Sequence, residues 1–186
     1  MCSKDLNNKS VLSHIIFISG GTKSGKSEFA EYLAKETKKL SYVALSENNI
    51  DDKEWQEKIK LHKERRPKDW KLIETTDLLN TLIKENGPLL IDSIGGFVME
   101  SIDKEHKEWS KKMHSLISLL MKRKRITIIV GEQVGWSLVS EYKVGNTYIE
   151  RIGELQKRLT KISKDNWLAI NGRAIKIDEI SLEIPT

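Results

Sequence analysis

Cysteine is nearly absent from this sequence: Cys2 is the only one, and it lies in a polar segment at the start of the chain. A single thiol excludes an intrachain disulfide framework and a cysteine-based metal site. It also favours a reducing compartment, so we expect a cytoplasmic location. The four histidines have no cysteine partners and lack the HExxH spacing of a zinc site; they are His14, His62, His106 and His114.

Long hydrophobic runs are missing as well. The apolar run at residues 15–18 is too short to cross a membrane and lacks the flanks of a signal peptide. We therefore expect a soluble protein with no membrane partner. Repeats, low-complexity tracts and linkers are also lacking, and 186 residues suffice for one domain with a full core. The sequence predicts a flexible N-terminal tail at residues 1–13 and a single domain at residues 14–186.

The charge balance is only mildly basic. There are 32 Lys and Arg residues against 27 Asp and Glu, which gives a net charge of +5. Such an excess allows an electrostatic contribution to the binding of phosphorylated ligands or nucleic acid. The basic residues are, however, interspersed with acidic ones. The basic run at residues 122–125 flanks an apolar stretch, and such solvated charges typically protect a hydrophobic strand from aggregation. We therefore expect no nucleic-acid partner.

Short apolar segments alternate with amphipathic segments along the chain. Strands are predicted at residues 14–19, 41–45, 70–75, 89–92 and 126–131, with a closing strand or hairpin at 166–177. Helices are predicted at residues 28–39, 51–66, 78–86 and 145–163, and as two helices within 94–122 that break near 103–105. This alternation predicts a single-domain α/β fold with a doubly wound, mainly parallel sheet, and ligands bound at the carboxyl ends of its strands.

The segment at residues 20–27, GGTKSGKS, satisfies the phosphate-loop pattern G-x-x-x-x-G-K-[ST] in full, and it lies between a predicted strand and a predicted helix. In such a loop the backbone N–H groups surround a phosphate, Lys26 reaches the terminal phosphates and the Ser27 hydroxyl ligates Mg²⁺. A glycine-rich turn with a surface lysine is the alternative. The motif predicts a P-loop NTPase (RecA-like) fold with these nucleotide-binding residues: Gly20, Gly21, Thr22, Lys23, Ser24, Gly25, Lys26 and Ser27.

Asp92 is the second candidate for the magnesium site. It ends the apolar strand LLID, where a carboxylate can hold the magnesium shell of a phosphate-loop protein. The alternative is that Asp92 caps the helix that follows. His106 and His114 are most simply residues of a helix surface.

One set of residues within positions 42–74 has a pattern that can be compared with known families: Tyr42, Ala44, Asp52, Glu54, Ile59, His62, Arg66, Pro67, Trp70 and Glu74. At these positions the segment resembles the bifunctional adenosylcobinamide kinase / adenosylcobinamide-phosphate guanylyltransferase family, the CobU family. The resemblance continues in the strand LLIDSI and the loop EQVGW, so that it spans about residues 15–177.

This resemblance implies phosphorylation of adenosylcobinamide, followed by transfer of GMP from GTP through a guanylyl-histidine on His62. Most of an unperturbed imidazole is neutral at pH 7, so its nitrogen can attack phosphorus. Lys26 is the second predicted catalytic residue. The resemblance further implies ATP and GTP as substrates, a corrinoid acceptor, Mg²⁺ held by Ser27 and Asp92, and a homotrimer. The remaining predicted nucleotide contacts are Ala44, Leu45, Ser46, Lys63, Glu64, Arg65, Arg66, Glu74 and Asp92.

The chain departs from the usual residues of that family at several predicted strand ends and in the late helix. Thr, Trp and Asn are replaced by Gly95, Phe97 and Glu100; Asn-Glu is replaced by Glu132-Gln133; and Asn-Gln is replaced by Gln156-Lys157. These positions bear on how the corrinoid is held and on whether both activities are retained. Two alternatives stay open: a simple small-molecule kinase with a structural His62, and a RecA-like ATP-driven nucleic-acid or assembly module.

Overall fold

A computed structural model describes residues 14–45, 66–136 and 140–185. Its strands are β1 (Ile15–Gly20), β2 (Ser41–Ala44), β3 (Lys71–Glu74), β4 (Leu89–Asp92), β5 (Thr127–Glu132), β6 (Asp165–Ile170) and β7 (Arg173–Lys176). The helices within these ranges are α1 (Lys26–Ala34), α2 (Leu78–Lys84), α3 (Gly95–Met99), α4 (His106–Met121), α5 (Lys143–Ile162) and α6 (Ile177–Ile180). The predicted tail at residues 1–13 lies outside the described residues, as does the predicted helix at 51–66 apart from its last residue.

The seven strands form one sheet in the order β3-β2-β4-β5-β1-β6-β7. Every pairing is parallel except that of β6 with β7, which is an antiparallel hairpin. Strands β1, β4 and β5 are apolar and mostly buried, as expected of central strands covered on both faces. The predicted α/β sheet is confirmed, and each predicted strand boundary lies within one residue of the observed one.

Helices cover both faces of the sheet. On one face α1 packs through Ala30 and Ala34, both fully buried, and these small side chains bring the helix close to the sheet. On the other face α4 contributes an apolar stripe at helical spacing that joins residues of α2, α3 and α5. The stripe consists of Trp109, Met113, Leu116 and Leu120. Among the described residues, no helix is both long and apolar enough to span a membrane.

The predicted break between α3 and α4 is confirmed, and a buried arginine of α5 holds it. Arg151 is 9% exposed, and its guanidinium donates to the carbonyls of Ile102 at 3.1 Å and Lys104 at 2.5 Å, as well as to that of Ser101. Carbonyl groups of an irregular segment need partners, and the guanidinium carries five N–H donors in a rigid fork. One side chain therefore fixes the connection between two helices.

Glu85 joins two parallel strands to the end of α2, at the edge of the sheet opposite the phosphate loop. Its carboxylate accepts from Lys71 Nζ at 2.5 Å and from Ser41 Oγ at 3.0 Å. The hydrogen bond from Lys71, and then that from Ser41, hold the pKa of Glu85 below its ordinary value. The charged form is therefore favoured in the folded chain.

We expect Glu85→Gln to lower stability at pH 7 by about 0.5 kcal/mol, since the Lys71 ammonium is largely exposed to solvent. A depressed carboxyl pKa adds stability that is complete above the pKa of the unfolded chain and is lost as the pH falls through the folded pKa. The difference from wild type should therefore shrink as the pH falls below about 4.5. Urea unfolding across pH measures this, with the exposed Glu36→Gln as control. A difference independent of pH would contradict the prediction.

Candidate functional site

The connection between β1 and α1 is a tight loop at the carboxyl edge of the sheet. Gly25 is the N-cap of α1, and its φ of 90° lies in the left-handed region, which glycine adopts without steric cost. Its carbonyl accepts from the N–H of Phe29 at 2.9 Å, which starts the helix. Lys26 Nζ donates to the carbonyl of Gly21 at 3.0 Å, so the ammonium group folds over the loop. The strand, loop and helix follow in the order that the phosphate-loop pattern predicts, and the contact of Lys26 with a nucleotide stays a prediction.

The turn between β6 and β7 contacts the phosphate loop through a backbone hydrogen bond. Asn171 and Gly172 both have positive φ, 49° and 74°, as in the two-residue turns that suit the twist of a hairpin. The N–H of Gly172 donates to the carbonyl of Ser24 at 3.0 Å. The sequence analysis predicted a closing strand or hairpin but not this contact. The Asn-Gly dipeptide was the available signal for the turn, whereas its position against the loop depends on strand order.

Asp92 lies opposite the start of α1. Strand β5 pairs with both β1 and β4, so the carboxyl ends of the three strands share one edge of the sheet. There the Ser27 hydroxyl donates to Asp92 Oδ1 at 3.0 Å. The alternative that Asp92 caps the next helix is wrong. The N-cap residue of α3 is Ile94, and the N–H of Gly95 donates to Glu132 instead.

Tyr42 contacts the other carboxylate oxygen of Asp92, and Arg66 lies over the Tyr42 ring. The Tyr42 hydroxyl donates to Asp92 Oδ2, and the tyrosine is only 2% exposed. Burial, followed by the charge of Asp92, raises the pKa of Tyr42 well above its usual range, so the donor stays protonated. The Arg66 guanidinium carbon lies 3.3 Å from the centroid of the Tyr42 ring, and Arg66 Nε lies 3.5 Å from Glu31 Oε1. The side chain of Arg66 is therefore engaged within the protein, and its predicted contact with the nucleotide stays a prediction.

Two of the residues predicted to contact the guanine nucleotide lie in one row with Asp92. Ala44 of β2 pairs with Asp92 on one side and with Glu74 of β3 on the other. Leu45, the next residue, is buried with 7% exposure. The other predicted residues of this part of the site lie outside the described residues, and their roles stay predictions; they are Ser46, His62, Lys63, Glu64 and Arg65.

The side chains present suit a magnesium ion better than a transition metal. In the described ranges there is no group of three or more His, Cys, Asp or Glu residues able to hold a metal ion. Ser27 and Asp92 instead offer two oxygen ligands beside the loop. Mg²⁺ is commonly held by one or two such protein ligands together with waters and the phosphates of a nucleotide. The donor set therefore fits Mg²⁺ bound with a nucleotide.

Comparison with known proteins identifies the family. The family model described as cobinamide kinase / cobinamide phosphate guanyltransferase matches residues 16–177. The chain belongs to this family. Two relatives named bifunctional adenosylcobalamin biosynthesis protein CobU, from Escherichia coli K12 and from Salmonella typhimurium LT2, are each 25% identical over 88% of this chain and 99% of their own length.

A solved structure shares this fold at low sequence identity. A solved protein from Pyrococcus horikoshii OT3 superimposes with a TM-score of 0.51 at 8% identity, covering 92% of this chain and 91% of that one. At such low identity the likeness concerns the fold alone. Together with the mainly parallel seven-stranded sheet, it confirms the predicted α/β fold, in which the loop at residues 20–27 joins a strand to a helix.

Three of the departures from the usual CobU-family residues meet at the carboxyl end of β5. Glu132 Oε2 accepts from the N–H of Gly95 at 3.0 Å, and Glu132 Oε1 accepts from the Ser93 hydroxyl. Gln156 Nε2 donates to the main-chain carbonyl of Glu132 at 2.7 Å. Burial and the charge of Glu132 raise the pKa of the neighbouring Tyr148 to about 12. The departures therefore form one packed polar cluster.

The remaining departures are separate from this cluster. Glu100 forms an ion pair with Lys112, whose ammonium also lies 4.9 Å from the ring centroid of Phe97. The backbone N–H of Gln133 donates to the carbonyl of Gly20 at 2.8 Å, and Lys157 is exposed on α5.

Close packing favours glycine at position 95. A Cβ there would lie 2.1 Å from the Tyr148 hydroxyl oxygen and 2.8 Å from Glu132 Oε2, both shorter than van der Waals contact. The CobU-family threonine would not fit beside these two side chains without a shift. The absence of a side chain at position 95 therefore leaves room for the Glu132 carboxylate.

We expect Gly95→Ala to lower the free energy of unfolding by about 1–3 kcal/mol, since overpacking forces neighbouring side chains or backbone to move. Tyr148→Phe removes the nearer oxygen, so the double variant Gly95→Ala, Tyr148→Phe should be less destabilised than the sum of the two single variants. Thermal and urea unfolding of the four proteins measure this coupling. Additive losses would contradict the packing described for position 95.

Proposed function

We propose that this chain catalyses both reactions named for its family: transfer of a phosphoryl group to cobinamide, and then transfer of GMP to the cobinamide phosphate. The supporting observation is the contact between Ser27 and Asp92 beside a complete phosphate loop, in a chain whose family match extends over residues 16–177. The acceptor is the adenosyl form of the corrinoid, as in the adenosylcobalamin pathway named for the two relatives.

The first reaction needs positioning and charge stabilisation more than covalent chemistry. The loop N–H groups and Lys26 hold the β- and γ-phosphates of ATP. Ser27 and Asp92 would hold Mg²⁺, which would supply neutralisation of the phosphate charge. The oxygen of the cobinamide hydroxyl forms a bond to the γ-phosphorus, the bond from that phosphorus to the bridging oxygen breaks, and ADP leaves. The hydroxyl proton is released to solvent or to a nearby base.

The second reaction uses His62 as a nucleophile. One imidazole nitrogen attacks the α-phosphorus of GTP, and pyrophosphate leaves with the electrons of the broken bond. An oxygen of cobinamide phosphate then attacks the same phosphorus, the P–N bond breaks, and cobinamide-GDP is released. Ala44, Leu45, Ser46 and Glu74 bind the guanine nucleotide in this proposal, and the cations at residues 63 and 65 neutralise its phosphates. The Arg66 side chain is instead held by Tyr42 and Glu31.

Family membership does not favour the alternative of a nucleic-acid or assembly module. The simple-kinase alternative differs from our proposal only in the second reaction, so a test of His62 separates the two. The proposal also includes a cytoplasmic location, which the low cysteine content favours, and a homotrimer, which the resemblance implies.

Lys26→Ala should lower the rate of γ-phosphoryl transfer by about 10²- to 10³-fold, as expected for loss of a charge that stabilises the transition state. The melting temperature should change little, because Lys26 Nζ contacts only a loop carbonyl in the described structure. Transfer of γ-labelled phosphate from ATP to cobinamide measures the rate, with the exposed Lys38→Ala as control. Full turnover by Lys26→Ala would remove Lys26 from the mechanism.

His62→Ala should abolish covalent labelling of the protein by α-labelled GTP, because the nucleophile is removed. In the wild type, α-labelled GTP should label the chain and γ-labelled GTP should not, since pyrophosphate departs. The bond should be lost in acid and resist base, as a phosphoramidate does. Labelling followed by denaturing electrophoresis measures this.

The control for His62→Ala is His106→Ala, which changes an exposed histidine of α4 and should keep full labelling. Kinase activity should persist in His62→Ala, because the phosphate loop is untouched. Undiminished labelling of this variant, or no labelling of the wild type, would favour the simple kinase.

A further inference from the structure

Five side chains form a closed ring that begins and ends on α1. The Ser27 hydroxyl contacts Asp92 Oδ1 at 3.0 Å, and the Tyr42 hydroxyl contacts Asp92 Oδ2. The ring of Tyr42 lies under the Arg66 guanidinium, and Arg66 forms an ion pair with Glu31 at 3.5 Å. Glu31 follows Ser27 by one helical turn, so both lie on the same side of α1.

Tyr42 is the member of this ring that determines how Asp92 is oriented. A carboxylate at a strand end can rotate about its terminal torsion, which is broad and two-fold. With Oδ2 held by the tyrosine hydroxyl, Oδ1 remains directed at Ser27. Tyr42 is itself fixed, because it is 2% exposed and packed within the core on the α1 side of the sheet.

Arg66 in turn holds the face of the Tyr42 ring. Its side chain is 12% exposed and that of Glu31 is 10% exposed, so the ion pair and the cation–π contact are largely shielded from solvent. Shielding strengthens both interactions relative to surface pairs. Arg66 therefore links α1 to the segment that leads into β3.

We propose that Tyr42 is a positioning residue for the metal-binding face of Asp92, with Arg66 and Glu31 holding Tyr42 in place. This inference rests on the proposed function, since it assumes that Ser27 and Asp92 hold Mg²⁺ with the nucleotide. Tyr42 does not contact the reacting atoms. Its hydroxyl fixes one carboxylate oxygen so that the other meets the ion without reorganisation, and such preorganisation raises affinity.

The decisive variant is Tyr42→Phe, which removes the hydroxyl and keeps the ring for Arg66. Tyr32→Phe is the matched control, because Tyr32 lies on α1 and is 70% exposed. The affinity of a fluorescent ATP analogue is measured with and without Mg²⁺, and the Mg²⁺ concentration for half-maximal phosphoryl transfer is measured separately. The first measurement does not depend on the corrinoid or on turnover.

For Tyr42→Phe we expect the gain in nucleotide affinity caused by Mg²⁺ to fall by about tenfold, as loss of a hydrogen bond to a charged group would produce. The half-maximal Mg²⁺ concentration should rise by a similar factor. Nucleotide affinity without Mg²⁺ should stay at the wild-type value, because the Tyr42 hydroxyl acts only on the metal-binding face of Asp92. A purely structural defect would instead lower the affinity both with and without Mg²⁺. Tyr32→Phe should match the wild type in all three measurements.

Arg66→Gln provides a second route that leaves Tyr42 intact. It should lower the same Mg²⁺-dependent gain, and adding it to Tyr42→Phe should produce little further loss of that gain, because both changes act on one hydroxyl. If the melting temperature of Tyr42→Phe lies below the temperature of the assay, Arg66→Gln alone tests the positioning role of Tyr42.

The outcomes separate this inference from the proposed function. If Mg²⁺ does not raise nucleotide affinity in the wild type, the metal site of the proposed function is wrong and this inference falls with it. If Mg²⁺ does so equally in the wild type and in Tyr42→Phe, only the positioning role of Tyr42 is overturned. A loss confined to the Mg²⁺-dependent gain supports the inference.

Discussion

The contact between the Ser27 hydroxyl and the Asp92 carboxylate is the constraint on which the geometry of the site depends. It requires β4, β5 and β1 to be adjacent and in register, because the two residues come from distant parts of the sequence. It also requires α1 to approach the sheet closely, which the fully buried Ala30 and Ala34 permit. A wider side chain at either alanine would move Ser27 away from Asp92.

Much of the fold follows from local patterns in the sequence. The segment LLID predicted β4 with both boundaries, and the glycine-rich segment at residues 20–27 predicted the strand–loop–helix unit. These predictions succeed because hydrophobic runs, glycine and helical periodicity act over short distances. Strand order could not be predicted in the same way, because it depends on which apolar strands pair after the chain has crossed the sheet.

The residues of the site could be predicted only where a single sequence motif contains the functional side chains. Residue type and position suggested Asp92 as a metal ligand, yet left helix capping open; the carboxylate of Glu132, forty residues later, occupies the capping position instead. The sequence comparison included Tyr42 without suggesting what its hydroxyl does. Its role depends on the pairing of β2 with β4 and on the position of the Arg66 guanidinium over its ring.

The brace between the β6–β7 turn and the phosphate loop links residues near the two ends of the described chain. Contacts between residues so far apart in the sequence cost loop-closure entropy and slow folding, because the intervening chain must close a long loop first. The loop at residues 20–27 is made before its partner Gly172, which lies in the last turn of the sheet. A nascent chain that stops before Gly172 would carry the whole phosphate-loop sequence and lack the contact that braces it.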